Sequence, residues 1–163
     1  MLKNCRKNYK GFTLLELLVI VLIIGILAGI ALPQYKLAII KTRLANVQTI
    51  VSSLKQAEER FYLIHGRYAN VYYQLDLDMD CKIIKGTFAC DNYFRIDLMN
   101  NTSQNIMYAY CPKYATDENY YFYQCRDNSD FYITEWLYNS DYPGKRVCTP
   151  KTDIGQKICA SFN

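Results

Sequence analysis

Residues 17–35 carry no charged side chain, and Leu, Ile and Val dominate the run, with Gly25, Gly29 and Pro33 inside it. At about 1.5 Å per helical residue this stretch reaches ~28 Å, close to the ~30 Å hydrocarbon core of a bilayer. A helix satisfies its own backbone donors and acceptors, as a segment in lipid must. Past Pro33 the pattern turns amphipathic. Leu37, Ile40, Leu44, Val47, Ile50, Val51, Leu54, Ala57, Phe61 and Ile64 recur at steps of three and four, with Lys41, Arg43, Lys55, Glu59 and Arg60 largely between them. That spacing predicts one buried helical face. A single helix of ~75–80 Å is expected over residues 13–65, bent at Pro33, which lacks a backbone donor, and stopped by Gly66. It is too long to be the core of a compact domain, and its seam is too short and too irregularly flanked for a continuous coiled coil.

The pattern changes again after Gly66. Residues 67–92 are irregular, with aromatic clusters and the alternating run Leu75-Asp76-Leu77-Asp78-Met79-Asp80. Asp76, Asp78 and Asp80 resemble the start of a calcium loop, but Cys81 stands where glycine is needed and Thr87 where glutamate is needed, so a short strand with one wet face is expected. Four runs with strand character follow, at 93–98, 104–111, 120–126 and 131–138, rich in Tyr, Phe and Ile and separated by Asn-, Asp- and Ser-containing segments. They predict a roughly four-stranded antiparallel meander. The fold class is α+β. The tail from 139 onward, with Pro143-Gly144, Pro150 and Gly155, has little periodicity and is expected to be held by cysteines.

Charge gives the chain a direction. Lys3, Arg6, Lys7 and Lys10 precede the apolar run without an acid among them, and residues 12–163 balance 15 basic against 15 acidic side chains, so the net charge of +4 resides in the first eleven residues. Basic residues flanking a membrane helix stay cytoplasmic, which places the remainder of the chain outside. A balanced body also lacks the basic excess of a dedicated nucleic-acid-binding domain.

Of the seven cysteines, Cys5 lies in the basic leader and the other six in the second half of the chain. Six cysteines in an exported segment read as a disulfide framework. Their spacings include no Cys-x-x-Cys, and His65, the one histidine, stands beside none of them, which disfavours zinc. Many pairings are possible, and pairing in sequence order is expected: Cys81 with Cys90, Cys111 with Cys125 across a hairpin loop at 112–119, and Cys148 with Cys159 closing the tail. Asn100-Asn101-Thr102-Ser103 contains two overlapping glycosylation sequons of low information. No nucleophile–base pair, phosphate loop or cofactor motif is present, so neither an enzyme nor a bound cofactor is expected.

Glu16 is the misfit, a carboxylate at the edge of an apolar span, where an acid is a functional candidate by default. Its setting, Gly11-Phe12-Thr13-Leu14-Leu15-Glu16 between a basic leader and a long apolar helix, resembles the class III signal of type IV pilins and pseudopilins. The Ala31-Leu32-Pro33-Gln34-Tyr35 ending and, more weakly, Gly66-Arg67-Tyr68 are also similar to that family. The resemblance covers about a third of the chain. It implies cleavage by a prepilin peptidase between Gly11 and Phe12, N-methylation of Phe12, and a role for Glu16 in assembly. It also implies the type IV pilin fold, a long N-terminal helix packed on an antiparallel sheet with a disulfide-stapled C-terminal region. The expected division is a cleaved leader at 1–11, a transmembrane and assembly helix at 12–35, its amphipathic continuation at 36–65, and an exported head at 66–163.

The implied function is that of a structural pilus subunit. It would be held in the inner membrane with its N-terminus cytoplasmic, then polymerised through its N-terminal helix into an extracellular filament used in adhesion, motility or DNA uptake. Expected partners are further copies of the chain, other pilins, the peptidase, the inner-membrane assembly machinery and lipid, with no specific nucleic acid. A pseudopilin of a type II secretion or competence system is one alternative. A single-span anchor displaying a disulfide-bonded binding module is the other.

Overall fold

The computed structural model describes residues 11–99, 104–119 and 121–162. The leader positions before Gly11, with Cys5 among them, the sequon stretch 100–103 and Tyr120 lie outside the described residues. Helix α1 runs Leu14–His65 and its helical backbone is continuous through Pro33. It ends at Gly66, whose φ of 68° is the left-handed cap conformation that glycine adopts without strain. The Gly66 N–H donates to the Tyr62 carbonyl at 2.8 Å, closing the last turn.

By its contacts the chain divides into two compact units after Ile39. In the first unit, α1 contains an apolar window long enough to cross a membrane. Almost every residue of it is exposed, from Phe12 through Tyr35.

In the second unit the same helix buries one stripe: Ile40, Leu44, Val47, Val51, Leu54, Ala57 and Glu58. Its sheet has six antiparallel strands in sequential order: β1 Lys82–Ile84, β2 Thr87–Cys90, β3 Phe94–Leu98, β4 Asn105–Tyr110, β5 Phe131–Trp136 and β6 Arg146–Pro150. The register aligns Phe94 with Tyr110 and Phe131, and Ile96 with Tyr108 and Ile133, so one face is a continuous layer of apolar and aromatic side chains. This is the face that α1 covers, since Gln48 hydrogen-bonds the Tyr108 hydroxyl and Arg43 bonds Tyr110. On the opposite face Ala109 packs with Cys111, Ala115, Phe122 and Cys125, beneath the short helix α2 at Phe122–Asp127.

Several expectations from pattern are corrected. Six strands replace four, because β1, β2 and β6 add to the expected strands at β3, β4 and β5. The β1–β2 hairpin turns through Lys85 and Gly86, both at positive φ, the geometry that a two-residue turn needs to match the strand twist. Residues 122–127 form α2 instead of a strand, although Tyr, Phe and Tyr favour strands. Phe122 and Cys125, three apart, both become buried on one helical face, and the Gln124 Oε1 accepts the Tyr121 N–H at 2.8 Å at the helix start. Position 112–119 therefore connects a strand to a helix and is not a hairpin loop.

Residues 75–80 form no strand. The Leu77 N–H donates to Leu75 and the Cys81 N–H to Met79, so the backbone closes tight turns on itself instead of a ladder. The alternation of burial nevertheless survives: Leu75 is buried, Leu77 and Met79 half-buried, and the three aspartates exposed. The tail is ordered too, as β6 and a third helix, α3, at Asp153–Cys159.

Candidate functional site

Residues 11–13 are non-helical and exposed, so the backbone on both sides of the Gly11–Phe12 bond is accessible; Phe12 itself is 70 % exposed. Helix α1 begins immediately afterwards, and its start is held by a reciprocal pair. The Glu16 carboxylate accepts from the Thr13 N–H at 2.9 Å and from the Thr13 hydroxyl at 2.7 Å, both on Oε2, while the Glu16 N–H donates to the Thr13 Oγ1 at 3.2 Å. This is a capping box, in which two otherwise unpaired helix-end donors are satisfied. Thr13 thus positions Glu16, and Thr-x-x-Glu ahead of an apolar run is its sequence signal. The box fixes the carboxylate at the first turn of α1. Leu17 to Leu32 then present exposed Leu, Ile and Val around the helix, a surface that needs lipid or protein around it.

In the second unit the six cysteines are joined in three disulfides. Cys81–Cys90 ties the segment before β1 to the end of β2, with Cα atoms 4.6 Å apart. Cys111–Cys125 ties the end of β4 to α2 at 5.6 Å, and Cys148–Cys159 ties β6 to α3 at 5.4 Å. Among the described residues no three His, Cys, Asp or Glu side chains gather as a metal set.

Polar networks that hydrophobic patterning does not reveal also hold the second unit, and one of them ties the end of α1, through Glu59, to the segment after β5. The Tyr68 hydroxyl donates to Glu59 Oε1 at 3.0 Å and accepts from the Asn139 N–H at 3.0 Å, and the same Oε1 accepts the Tyr138 N–H at 3.0 Å. Burial pushes the Tyr68 hydroxyl above its usual pKa and keeps it a neutral donor. Deeper in, Glu135 accepts from the Tyr108 hydroxyl at 2.9 Å and pairs with Arg146 at 2.8 Å. On the other face Arg95, fully buried, donates to Thr87 Oγ1 and to the carbonyls of Ile84, Tyr114 and Asp117, stitching the β1–β2 turn to the loop before α2. These are structural networks; none pairs a nucleophile with a base.

Comparison with known proteins finds likeness over part of the chain. Residues 6–32 match the family model of the prokaryotic N-terminal methylation motif. A fimbrial protein of Pseudomonas aeruginosa is 51% identical over 53 residues, 32% of this chain and 34% of that protein. A type IV major pilin protein of Neisseria gonorrhoeae is 37% identical over 59 residues, 36% of either chain. A fimbrial protein of Neisseria meningitidis serogroup B is 37% identical over 59 residues, 36% of this chain and 35% of that one. The chain thus spans about a third of the length of the curated relatives it matches. No solved structure matches it. The chain thus carries the prokaryotic N-terminal methylation motif at residues 6–32 and, over about a third of its length, is similar to fimbrial and type IV major pilin proteins.

Proposed function

We propose that the chain is a structural subunit of a type IV pilus, stored in the inner membrane with its N-terminus cytoplasmic and then drawn into an extracellular filament. The observation that carries this reading is the exposed, uncharged helix of residues 17–35 with one carboxylate, Glu16, held by Thr13 directly behind the Gly11–Phe12 bond. A peptidase would remove residues 1–11 and with them the basic leader, and the new Phe12 amine would be methylated and stay cationic. Lipid covers the helix before assembly, and the helices of neighbouring copies cover it afterwards.

Assembly then turns on Glu16. In an apolar filament core a lone carboxylate and a lone amine are each costly, and the pair is tolerated and fixes register. Thr13 occupies Glu16 Oε2, which leaves Oε1 for the Phe12 amine of the neighbouring copy. The fimbrial names of the relatives favour a pilus subunit over a secretion pseudopilin.

Intact-mass analysis of the membrane-extracted protein tests the processing step, with loss of residues 1–11 and gain of one methyl group as the expected result. A mature protein retaining Met1 overturns it. Electron microscopy of sheared surface filaments, with mass spectrometry of their subunits, tests the destination.

A further inference from the structure

The irregular segment between α1 and β1 closes over a cavity of ≈ 220 Å³ that lies wholly within the second unit. Leu54 of α1 and Phe88 of β2 line it and are buried, so they form its floor. Tyr72 and Met79, half-buried, supply its walls, and the exposed Tyr73 and Asp78 its rim. The walls are held in place by their own backbone. Tyr72–Gln74 is one turn of 3-10 helix, closed by the Leu75 N–H on the Tyr72 carbonyl at 3.0 Å. Beyond Asp78 the Cys81 N–H donates to the Met79 carbonyl at 2.8 Å, and the Cys81–Cys90 disulfide ties this end of the segment to β2. A site preorganised in this way loses little in ordering when a guest enters.

Its three rings stand at angles to one another. Tyr72 meets Tyr73 with centroids 5.6 Å apart and planes at 84°, and meets Phe88 at 5.6 Å and 70°. Parallel walls grip a flat guest, whereas walls near right angles enclose a round one. Among the described residues Asp78 is the only charged side chain lining the cavity, and it forms no ion pair. The chain's own cations sit on other rings, such as Arg43 on Tyr93 and Lys55 on Tyr138.

Angled aromatic walls with a single carboxylate at the rim select one class of guest. A hard metal ion needs about six oxygen ligands, and this lining is mostly hydrocarbon with one carboxylate. A primary ammonium brings donors that hydrocarbon and ring faces leave unpaired. A quaternary ammonium has no donor, spreads its charge over a rounded methyl surface, and is attracted by ring faces and by a carboxylate alike. An apolar cavity of ~150 Å³ accepts benzene, so one of ≈ 220 Å³ has room for a trimethylammonium group. We propose that this cavity is a quaternary-ammonium site for choline, free or as a headgroup, with the trimethylammonium against Tyr72, Tyr73 and Phe88 and Asp78 as its counter-ion. The site does not depend on the filament reading, since every residue it uses lies in the head.

The test titrates choline into the full chain in dodecyl maltoside, an uncharged detergent, and reads saturation transfer to the choline methyl groups by NMR. Saturable binding is expected. It should be about tenfold weaker for the neutral carbon isostere of choline, which keeps the shape without the charge, and for ethanolamine, which keeps the charge on a primary ammonium. Asp78→Asn and Tyr73→Ala, both at the exposed rim, should each weaken choline by about threefold to fivefold, with the melting of the head unchanged. Tyr73→Phe keeps the ring and should bind as the original does. Equal binding of the neutral isostere reduces the site to a plain apolar cavity and overturns the proposal. Ethanolamine binding as tightly as choline, binding indifferent to both rim variants, or no saturable choline binding at millimolar concentrations overturns it too. Competition with glycerophosphocholine assigns the source of the guest. Displacement of choline identifies the lipid headgroup and its absence identifies free choline, and either result upholds the cage.

Discussion

The segment up to Ile39 and the head from Ile40 onward obey opposite rules. In the first, apolar side chains such as Leu17, Ile23 and Leu27 are exposed at half or more of their surface; in the second, Val47, Leu54, Ile96 and Ile133 are fully buried. The first has no charge from Leu17 to Tyr35, whereas the head holds all three disulfides and buries Glu58, Arg95 and Glu135 within it. The N-terminal methylation motif, at residues 6–32, ends within the first.

The largest effect is expected at Glu16. Removing one partner of a buried ion pair costs roughly 3–5 kcal/mol, so Glu16→Ala should lower filament yield about a hundredfold or more. The melting of the head should not change. Glu16→Gln sharpens the point, because glutamine can keep the capping box with Thr13 but has no charge. Filament loss with Gln identifies the charge as the agent; normal yield assigns Glu16 to helix capping alone.

The reverse dissociation is expected in the head. Replacing Cys111 and Cys125 together by alanine opens the link between β4 and α2 and should destabilise the head by about 2–4 kcal/mol, read by thermal denaturation of the full chain in detergent. Membrane anchoring and cleavage should be untouched. Gly155→Ala should cost about 1–3 kcal/mol, since a Cβ there would run into the Asp130 carbonyl, which also accepts the Lys151 and Thr152 N–H groups.

The smallest effect belongs to Asp97, whose pKa burial pushes up to about 6, the Leu98 N–H and Arg95 opposing it. The folded head therefore holds this proton more tightly than the unfolded chain, with its ordinary value near ~4. Stability from Asp97 is complete below about 4 and declines as pH rises through about 6. Asp97→Asn should remove that decline and raise stability at neutral pH by about 1–2 kcal/mol, with little change near pH 4. A pH-independent difference between the two proteins would contradict this account.

The sequence by itself determined α1, because a 3.6-residue period and an uncharged run are properties of consecutive residues, and Gly66 terminates the helix through its own backbone freedom. It also determined β3, β4 and β5, whose five or six residues are rich in Tyr, Phe and Ile, and the motif around Gly11 and Glu16. Only the tertiary structure decided the rest. Residues 122–127 are helical because Phe122 and Cys125 must both reach the cluster of Ala109, Cys111 and Ala115. The three- and four-residue strands β1 and β2 are too short to show a period, and Lys85-Gly86 reads as a turn only once its flanks pair. In residues 75–80 the alternating pattern set which side chains face inward, but no neighbouring strand was present to complete a ladder. The partners of Glu59, Arg95 and Glu135 come from positions 8 to 79 residues away, and such distances along the chain are closed only by the fold.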